Sequence, residues 1–499
     1  MCLCIEGRLC NTRMDNSNLK KNIVSGLFWK FGERILAQGV SFLVSVVLAR
    51  ILMPSDYGTV ALVLVFINIA NVFVTSGFST ALIQKKDATE VDFSTNFYCS
   101  LGMSCLVYFI MYIIAPLIEK FYGMSGLSLV IRVFSLRIPI SAYSAIQHAY
   151  VERHMLFKRY FFSTLLGTIG SGVVGIALAN IGFGVWALIA QYFTNTIMDI
   201  IVLMFTVPWR PRLIFSFTSA KDMMNYGSKI LLADLSGTFF DQLRSLIIGK
   251  FYTSADLAFY NKGNQLPNLI TTNISSSVMT VLFPAISNIN DNLDRVKEIT
   301  RKSFKTMAYI IFPLLVGMAC VAKPLVELLF TEKWLGAVPF IQILSISSAI
   351  GMIGNISLQT IKALGRSDII LKLEIYKKPV YIFLLIAGAL VNPMAVAASM
   401  FLYTIYGVVV NAYILSKIID YPLSRQLKDI IGILTMCLLM SIVIYPISLM
   451  DKSPFVLIIS QTLIGTTVYL VLSNLSNNES FCAIKALIKE KTRHGKKVG

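Results

Sequence analysis

Apolar runs of 18 or more residues recur along the 499-residue chain, each long enough to cross a bilayer core of about 30 Å as a helix. In hydrocarbon, every backbone N–H and C=O must be satisfied inside its own segment, so runs of this kind fold as helices. Only 14% of residues are charged, against about 25% in an ordinary soluble protein, and the mean hydropathy is +0.71. The expected fold class is therefore an all-α polytopic membrane protein with no sizeable soluble domain. About fourteen spans can be delimited: 27–49, 59–83, 94–117, 127–149, 160–180, 184–206, 227–249, 257–284, 304–323, 337–361, 369–391, 393–416, 428–449 and 454–473.

The basic residues set an orientation. Lys85, Lys86, Arg153, Lys158, Arg159, Arg210, Arg212, Arg295, Lys297, Arg301 and Lys302 all fall on the side that holds both termini, which is thereby expected to be cytoplasmic. The formal net charge of +18 follows from this bias and from attraction to anionic lipid headgroups, not from nucleic acid. The polar stretch 1–22 has no signal-peptide pattern. Met14 is expected as the start, because MCLCIEGRLCNTR before it has no structural pattern and its cysteines, Cys2, Cys4 and Cys10, read as a tail rather than a metal site. The basic tail IKALIKEKTRHGKKVG is expected on the inner membrane surface.

An internal echo bears on organisation. LARILMPSDYG at 48–58 is answered 200 residues later by IGKFYTSADLA at 248–258, and 27–85 aligns with 227–285 without a gap. Identities are few: Leu43/Leu243, Ser45/Ser245, Asp56/Asp256, Asn68/Asn268, Ser76/Ser276, Thr80/Thr280 and Leu82/Leu282. The polar pattern is more telling. Lys30, Arg34, Gln38, Ser41 and Ser45 share one helical face, and Asp234, Thr238, Asp241 and Ser245 occupy the same face at the same offset. Asn68, Asn71 and Thr75 are matched by Asn268, Thr271 and Ser275. The expected unit is six helices written twice, related by an axis along the membrane normal, plus two more helices. This gives a cytoplasmic N-terminal tail (1–26), an N-lobe (27–206), a cytoplasmic linker (207–226), a C-lobe (227–416), helices thirteen and fourteen (417–473) and a basic cytoplasmic tail (474–499).

Charges inside spans point to function, since a Lys, Arg or Asp at a helix centre costs about 2.5–3.5 kcal/mol on insertion scales and rarely faces lipid. The first span carries Lys30, Glu33 and Arg34, the fourth Arg132 and Arg137, and the seventh Lys229, Asp234, Asp241 and Arg244. One reading is a water-filled cavity in which Arg34, Arg137 and Lys30 hold an anion, with Gln38, Asn68 and Asn268 on its polar walls. The guanidinium fork suits phosphate. Glu33, Asp234 and Asp241 would then be candidates for ion coupling. The plainer reading makes Lys30 with Glu33, and Asp241 with Arg244, structural ion pairs, and lets Lys30, Arg132 and Lys229 snorkel to the interface. Lys377 and Lys378 are expected to snorkel near the cytoplasmic end of the eleventh span.

Signals for catalysis are thin. No GxxxxGK[ST] phosphate loop is present, and His148, His154 and His494 form no metal-ligand spacing. No external loop approaches the size expected of a glycan polymerase or ligase. The sequence therefore reads as a carrier with no catalytic residue, no bound metal and no cofactor.

Four stretches resemble a known family. Ala49-Arg50-Ile51-Leu52-Met53-Pro54-Ser55-Asp56-Tyr57-Gly58 is similar to the signature that follows the first helix of polysaccharide flippases in the multidrug/oligosaccharidyl-lipid/polysaccharide exporter superfamily. Leu282-Phe283-Pro284-Ala285, Phe330-Thr331-Glu332-Lys333-Trp334 and Ala363-Leu364-Gly365-Arg366-Ser367-Asp368 add to it. In order and spacing they look most like the lipopolysaccharide or colanic acid exporter branch, over about residues 22–475. The resemblance implies a flippase that carries undecaprenyl-pyrophosphate-linked oligosaccharide repeat units across a bacterial inner membrane by alternating access, for O-antigen, capsule or exopolysaccharide. It implies inner-membrane lipids as surroundings, polymerase and glycosyltransferase partners, and drive from the membrane potential or from a proton or sodium gradient. Two rivals stand beside it. A drug or cation antiporter of the same superfamily predicts an acidic, aromatic cavity, and a membrane glycan polymerase predicts a large external loop.

Overall fold

The structure is a computed structural model that describes residues 36–76, 88–289 and 291–482, with Gly32, Leu82, Lys85 and Lys485 as isolated positions. Among the described residues there is no strand. In chain order the helices are α1 (Leu36–Ile51), α2 (Pro54–Thr75), α3 (Glu90–Tyr122), α4 (Leu127–Ser135), α5 (Arg137–Arg153), α6 (Phe157–Asn180), α7 (Val185–Thr206), α8 (Phe217–Phe251), α9 (Ser254–Ser287), α10 (Leu293–Phe330), α11 (Val338–Ala363), α12 (Ser367–Ala389), α13 (Pro393–Ile419), α14 (Leu423–Ile444) and α15 (Pro454–Leu475).

Eleven of the described spans are long and apolar enough to cross a membrane, with α4 and α5 together making one of them. The expectation of about fourteen is not reached by that measure. The other three predicted segments fall on helices too: α1, which is short over the described residues, and α8 and α12, which carry interior charges such as Asp234 and Lys377. The outward surface is apolar, with Leu43, Phe109, Leu117, Val173, Phe383 and Leu463 all exposed. That is how helices look when lipid, as apolar as Leu itself, is the solvent.

The chain divides into two compact units. Unit 1 comprises residues 1–52 and 63–243, and unit 2 comprises 53–62 and 244–499, so the division falls within α2 and within α8.

The sequence echo has a structural meaning. α2 starts at Pro54 and α9 at Ser254, 200 residues on. At α2, Asp56 accepts a hydrogen bond from the backbone N–H of Met53 at 3.1 Å. At α9, Asp256 accepts from the backbone N–H of Thr253 at 3.1 Å, and the Thr253 hydroxyl accepts from the N–H of Asp256 at 3.2 Å, a complete capping box. Each echoed Asp therefore satisfies an N–H that a helix start leaves without a partner. Both turns belong to unit 2, and there they touch: a Cβ added at Gly58 would overlap the Ser254 carbonyl. Glycine is needed at 58 for that close approach.

The core of unit 2 is a continuous apolar cluster that includes Phe304, Phe312, Ile356 and Leu415. Met436, Met440 and Ile444 from α14 and Tyr469 from α15 belong to the same cluster. The Tyr469 hydroxyl donates to the carbonyl of Tyr309 at 2.8 Å, and Tyr309 donates to Ser473 at 3.0 Å. The last two helices thus complete the unit 2 core. In unit 1, the start of α3 ties in the first turn of α8 and the segment before it. Asp92 accepts from Lys85 at 2.7 Å and from Ser219 at 2.5 Å, and Arg212 pairs with Glu90 at 2.5 Å.

One expectation is overturned. Lys377 does not snorkel. It is buried in unit 2, donating to Asn411 Oδ1 at 3.2 Å, with Glu374 Oε1 at 3.5 Å. The reason is depth: ten residues past the start of α12 puts it about 15 Å along the helix, where a polar partner from α13 meets it.

Candidate functional site

Unit 1 holds a partly open polar cavity of about 260 Å³. It is made by α5, α6 and α7, and each contributes a polar face. On α5, Arg137, Ser141, Ser144 and His148 step by four, three and four residues, which is one side of a helix. On α6, Tyr160, Ser163 and Thr164 line it, and on α7 Asn195, Thr196 and Asp199.

Local sequence explains the placement. α4 stops at Ser135 and α5 restarts at Arg137. Pro139 has no N–H to offer the carbonyl four residues earlier, so a helix cannot run straight through this point. The Leu136 N–H turns instead to the Val133 carbonyl at 3.1 Å. The break puts Arg137 in the first turn of α5. α6 and α7 pack closely because Gly167 has no side chain: a Cβ there would lie 3.3 Å from the Asn195 carbonyl oxygen. That approach brings Ser163 within reach of Asp199.

The charged groups are held in place. Arg137 donates through Nε to the Thr196 hydroxyl at 2.7 Å, and its guanidinium carbon lies 5.4 Å from the centre of the Tyr192 ring. The Thr196 hydroxyl in turn donates a hydrogen bond to the Tyr192 carbonyl at 3.1 Å. His148 Nε2 lies 2.8 Å from Asp199 Oδ2, and the Ser163 hydroxyl donates to Asp199 Oδ1. The His148 ring sits 4.8 Å from that of Tyr160. His148 Nδ1 is buried with no hydrogen-bond partner. Two charges of opposite sign therefore face the same small space, each with fixed neighbours, and hydroxyls and an amide fill the wall between them.

Of the residues expected at a site, Arg137 lines this cavity. Lys30, Glu33 and Arg34 lie outside the described residues. Gln38 is half-buried on α1, and Asn68 is exposed on α2. Asp234 and Asp241 are exposed on α8, and Asn268 is exposed on α9 in unit 2. Sequence reasoning missed His148 and Asp199. The available signals were an acid at 199 inside the apolar run 184–206 and the four-three-four polar step along α5.

A second buried group in unit 2 gathers two of the motifs. Lys262 on α9 donates to Gln265 at 3.2 Å and lies 5.0, 4.9 and 5.7 Å from the ring centres of Tyr57, Phe330 and Trp334. Tyr57 belongs to the stretch at 49–58, and Phe330 and Trp334 to the stretch at 330–334. Cation–π attraction to three rings stabilises an ammonium that is out of water.

Fold and site together define a polytopic all-α membrane protein with a polar cavity inside one helical unit. The chain belongs to the polysaccharide biosynthesis protein family, whose profile matches residues 47–339, more than half of its length. It is 23% identical to the succinoglycan biosynthesis transport protein ExoT of Rhizobium meliloti, over 66% of this chain and 67% of that protein. It is 22% identical to the lipopolysaccharide biosynthesis protein WzxC of Escherichia coli, over 80% of this chain and 82% of that one. Among solved structures it superposes on the lipid II flippase MurJ with a TM-score of 0.71 at 17% identity, covering 91% of this chain and 98% of MurJ. ExoT is a transport protein and MurJ a flippase; with eleven described spans long and apolar enough to cross a membrane, this chain is a multi-pass membrane protein.

Proposed function

We propose that this protein flips lipid-linked oligosaccharide repeat units from the cytoplasmic to the outer leaflet of a bacterial inner membrane, for assembly of a cell-surface polysaccharide. The observation that carries the reading is membership of the polysaccharide biosynthesis family over residues 47–339, joined to a polar cavity inside a membrane bundle. The substrate has a sugar head that cannot cross hydrocarbon and a lipid that can stay in it. A cavity walled by Ser, Thr, Asn and Arg137 shelters such a head, and transport runs by alternating access. Both termini lie on the cytoplasmic side, where the Lys/Arg excess places them. Lys30 and Arg34 supply positive charge for the pyrophosphate, and Gln38, Asn68 and Asn268 are candidate polar contacts for the substrate.

Energetics favour this direction. With the cell interior negative, moving two negative charges outward gains roughly 4–5 kcal/mol per 100 mV. Proton or sodium coupling through Glu33, Asp234 or Asp241 adds to that drive. Full dependence of transport on the ion gradient in an Asp234→Asn/Asp241→Asn protein would remove those two from the coupling role.

The test is the leaflet position of the lipid-linked glycan in cells that lack the protein. Spheroplasts are treated with an impermeant sugar-oxidising reagent. The expected result is accumulated lipid-linked glycan that stays inaccessible from outside. Glycan that reaches the outer leaflet at the normal rate overturns the proposal.

A further inference from the structure

We propose that the cavity of unit 1 receives a single neutral sugar ring of the transported glycan, through hydroxyl pairing rather than through charge. This rests on the flippase reading above and names which part of the substrate the cavity takes.

Charge is the first reason. A phosphate site gathers cations and donors, but this wall carries the Asp199 carboxylate as well as the Arg137 guanidinium. Arg137 and Asp199 carry opposite formal charges on the same wall. A pyrophosphate placed here would meet a carboxylate that has no other exit. A polyol gains from both groups, because each sugar hydroxyl donates once and accepts twice.

The inventory of donors and acceptors is the second reason. Ser141, Ser144, Ser163, Thr164 and Thr196 line the space with hydroxyls; Ser141, Ser144, Ser163 and Thr196 already donate to Ile138, Ser141, Asp199 and Tyr192, so their oxygens are offered as acceptors to a sugar hydroxyl. Asp199 offers about four lone-pair positions, and His148 and Ser163 each take one, on Oδ2 and Oδ1 respectively. What remains can accept from two neighbouring hydroxyls of a ring. Arg137 uses Nε on Thr196 and keeps its two terminal nitrogens as donors. Both groups are thus pre-oriented and only partly spent.

Size is the third. The cavity, about 260 Å³ and partly open, has room for one sugar ring beside the polar groups that line it.

The test uses the purified full-length protein in lipid nanodiscs with two kinds of probe. One is a panel of neutral methyl hexopyranosides of gluco, galacto and manno configuration. The other is inorganic pyrophosphate. Binding is read by saturation-transfer NMR and titration calorimetry. At least one hexoside is expected to bind, and Asp199→Asn is expected to weaken it about tenfold or more, the loss of a hydrogen bond to a charged acceptor. Thr164→Val keeps the shape and removes one hydroxyl. It is expected to weaken the same hexoside about threefold to tenfold and to leave pyrophosphate unchanged. If Asp199→Asn does not fold, Thr164→Val decides alone. The inference is overturned if no hexoside in the panel binds the wild-type protein, if Thr164→Val leaves the bound hexoside unaffected, or if Asp199→Asn tightens pyrophosphate severalfold, which marks an anion site. Failure here with export intact in spheroplasts removes the sugar site and leaves the flippase reading standing. Failure of export control with hexoside binding intact does the reverse.

Discussion

In unit 1, Arg137, His148 and Asp199 face an open space of about 260 Å³. In unit 2, Lys262 and Lys377 are each only 5% exposed, with side chains packed around them. A charge within a membrane bundle must be compensated wherever it sits, and the two units do this differently. Lys377 is matched by Asn411, whose amide donates in turn to the Gly354 carbonyl at 3.2 Å, so three helices are keyed together. Lys262 is matched by a glutamine and three aromatic rings. Neither leaves room for a visitor. Arg137 and Asp199 are anchored on one side and open on the other. Buried charge alone does not mark a functional site; anchored charge beside empty polar space does.

The largest effect that could break this contrast concerns the aromatic surround of Lys262. Trp334 is fully buried, with ring centres of Tyr57 at 5.3 Å and of Phe259 and Phe330 at 6.1 Å. Trp334→Ala is expected to cost about 3–5 kcal/mol of stability, read by thermal unfolding of the purified protein. A variant as stable as wild type but inactive in export would make this cluster part of the working site.

A smaller effect is expected at Lys377. Lys377→Met leaves Asn411 Oδ1 buried without its donor and should cost about 1–3 kcal/mol. Adding Asn411→Leu should restore most of it, a coupling that a double-mutant cycle measures. Absence of coupling between the two substitutions would contradict the structural role.

How far these features were legible in the sequence follows the same divide. The apolar runs located the helices, because hydrophobic length is the dominant constraint in a membrane. The echo at 48–58 and 248–258 was legible as well, and its conserved feature within the chain is local: an Asp three residues into each helix start. Arg137 could be singled out as a charge inside a span. Its partners could not, because Thr196 is 59 residues away and the His148–Asp199 pair spans 51. Lys377 was misjudged because a snorkelling lysine and a lysine met by Asn411 have the same local sequence. Only the packing of α12 on α13 separates them.

The smallest effect lies outside the membrane on unit 2. The carboxyl of Asp420 is held below its ordinary value of 3.8, first by its hydrogen bond to Lys297 and then by the charges of Lys297 and Arg425. Glu479 is likewise held below 4.5 by Lys305. A carboxyl with a depressed folded-state value adds stability above its ordinary value and loses it as pH falls through the folded value. Stability is therefore expected to decline modestly as pH drops below about 4. Asp420→Asn and Glu479→Gln should flatten that decline, as followed by unfolding at a series of pH values. Both side chains are exposed, so salt should reduce the effect further. An unchanged acid slope in the double variant would remove these pairs from the account.

The most direct test of the central claim is transport by the purified protein. Wild-type and Arg137→Gln proteins are reconstituted into vesicles holding a polyprenyl-pyrophosphate-linked glycan in one leaflet, and its arrival in the other is followed with an impermeant sugar oxidant. The account predicts transfer by wild type under an outward-directed potential for anions, and at least about a tenfold loss in Arg137→Gln with unfolding temperature little changed. Equal transfer by both proteins would contradict a role for the unit 1 cavity. No transfer by wild type beyond that of empty vesicles would contradict the flippase reading itself.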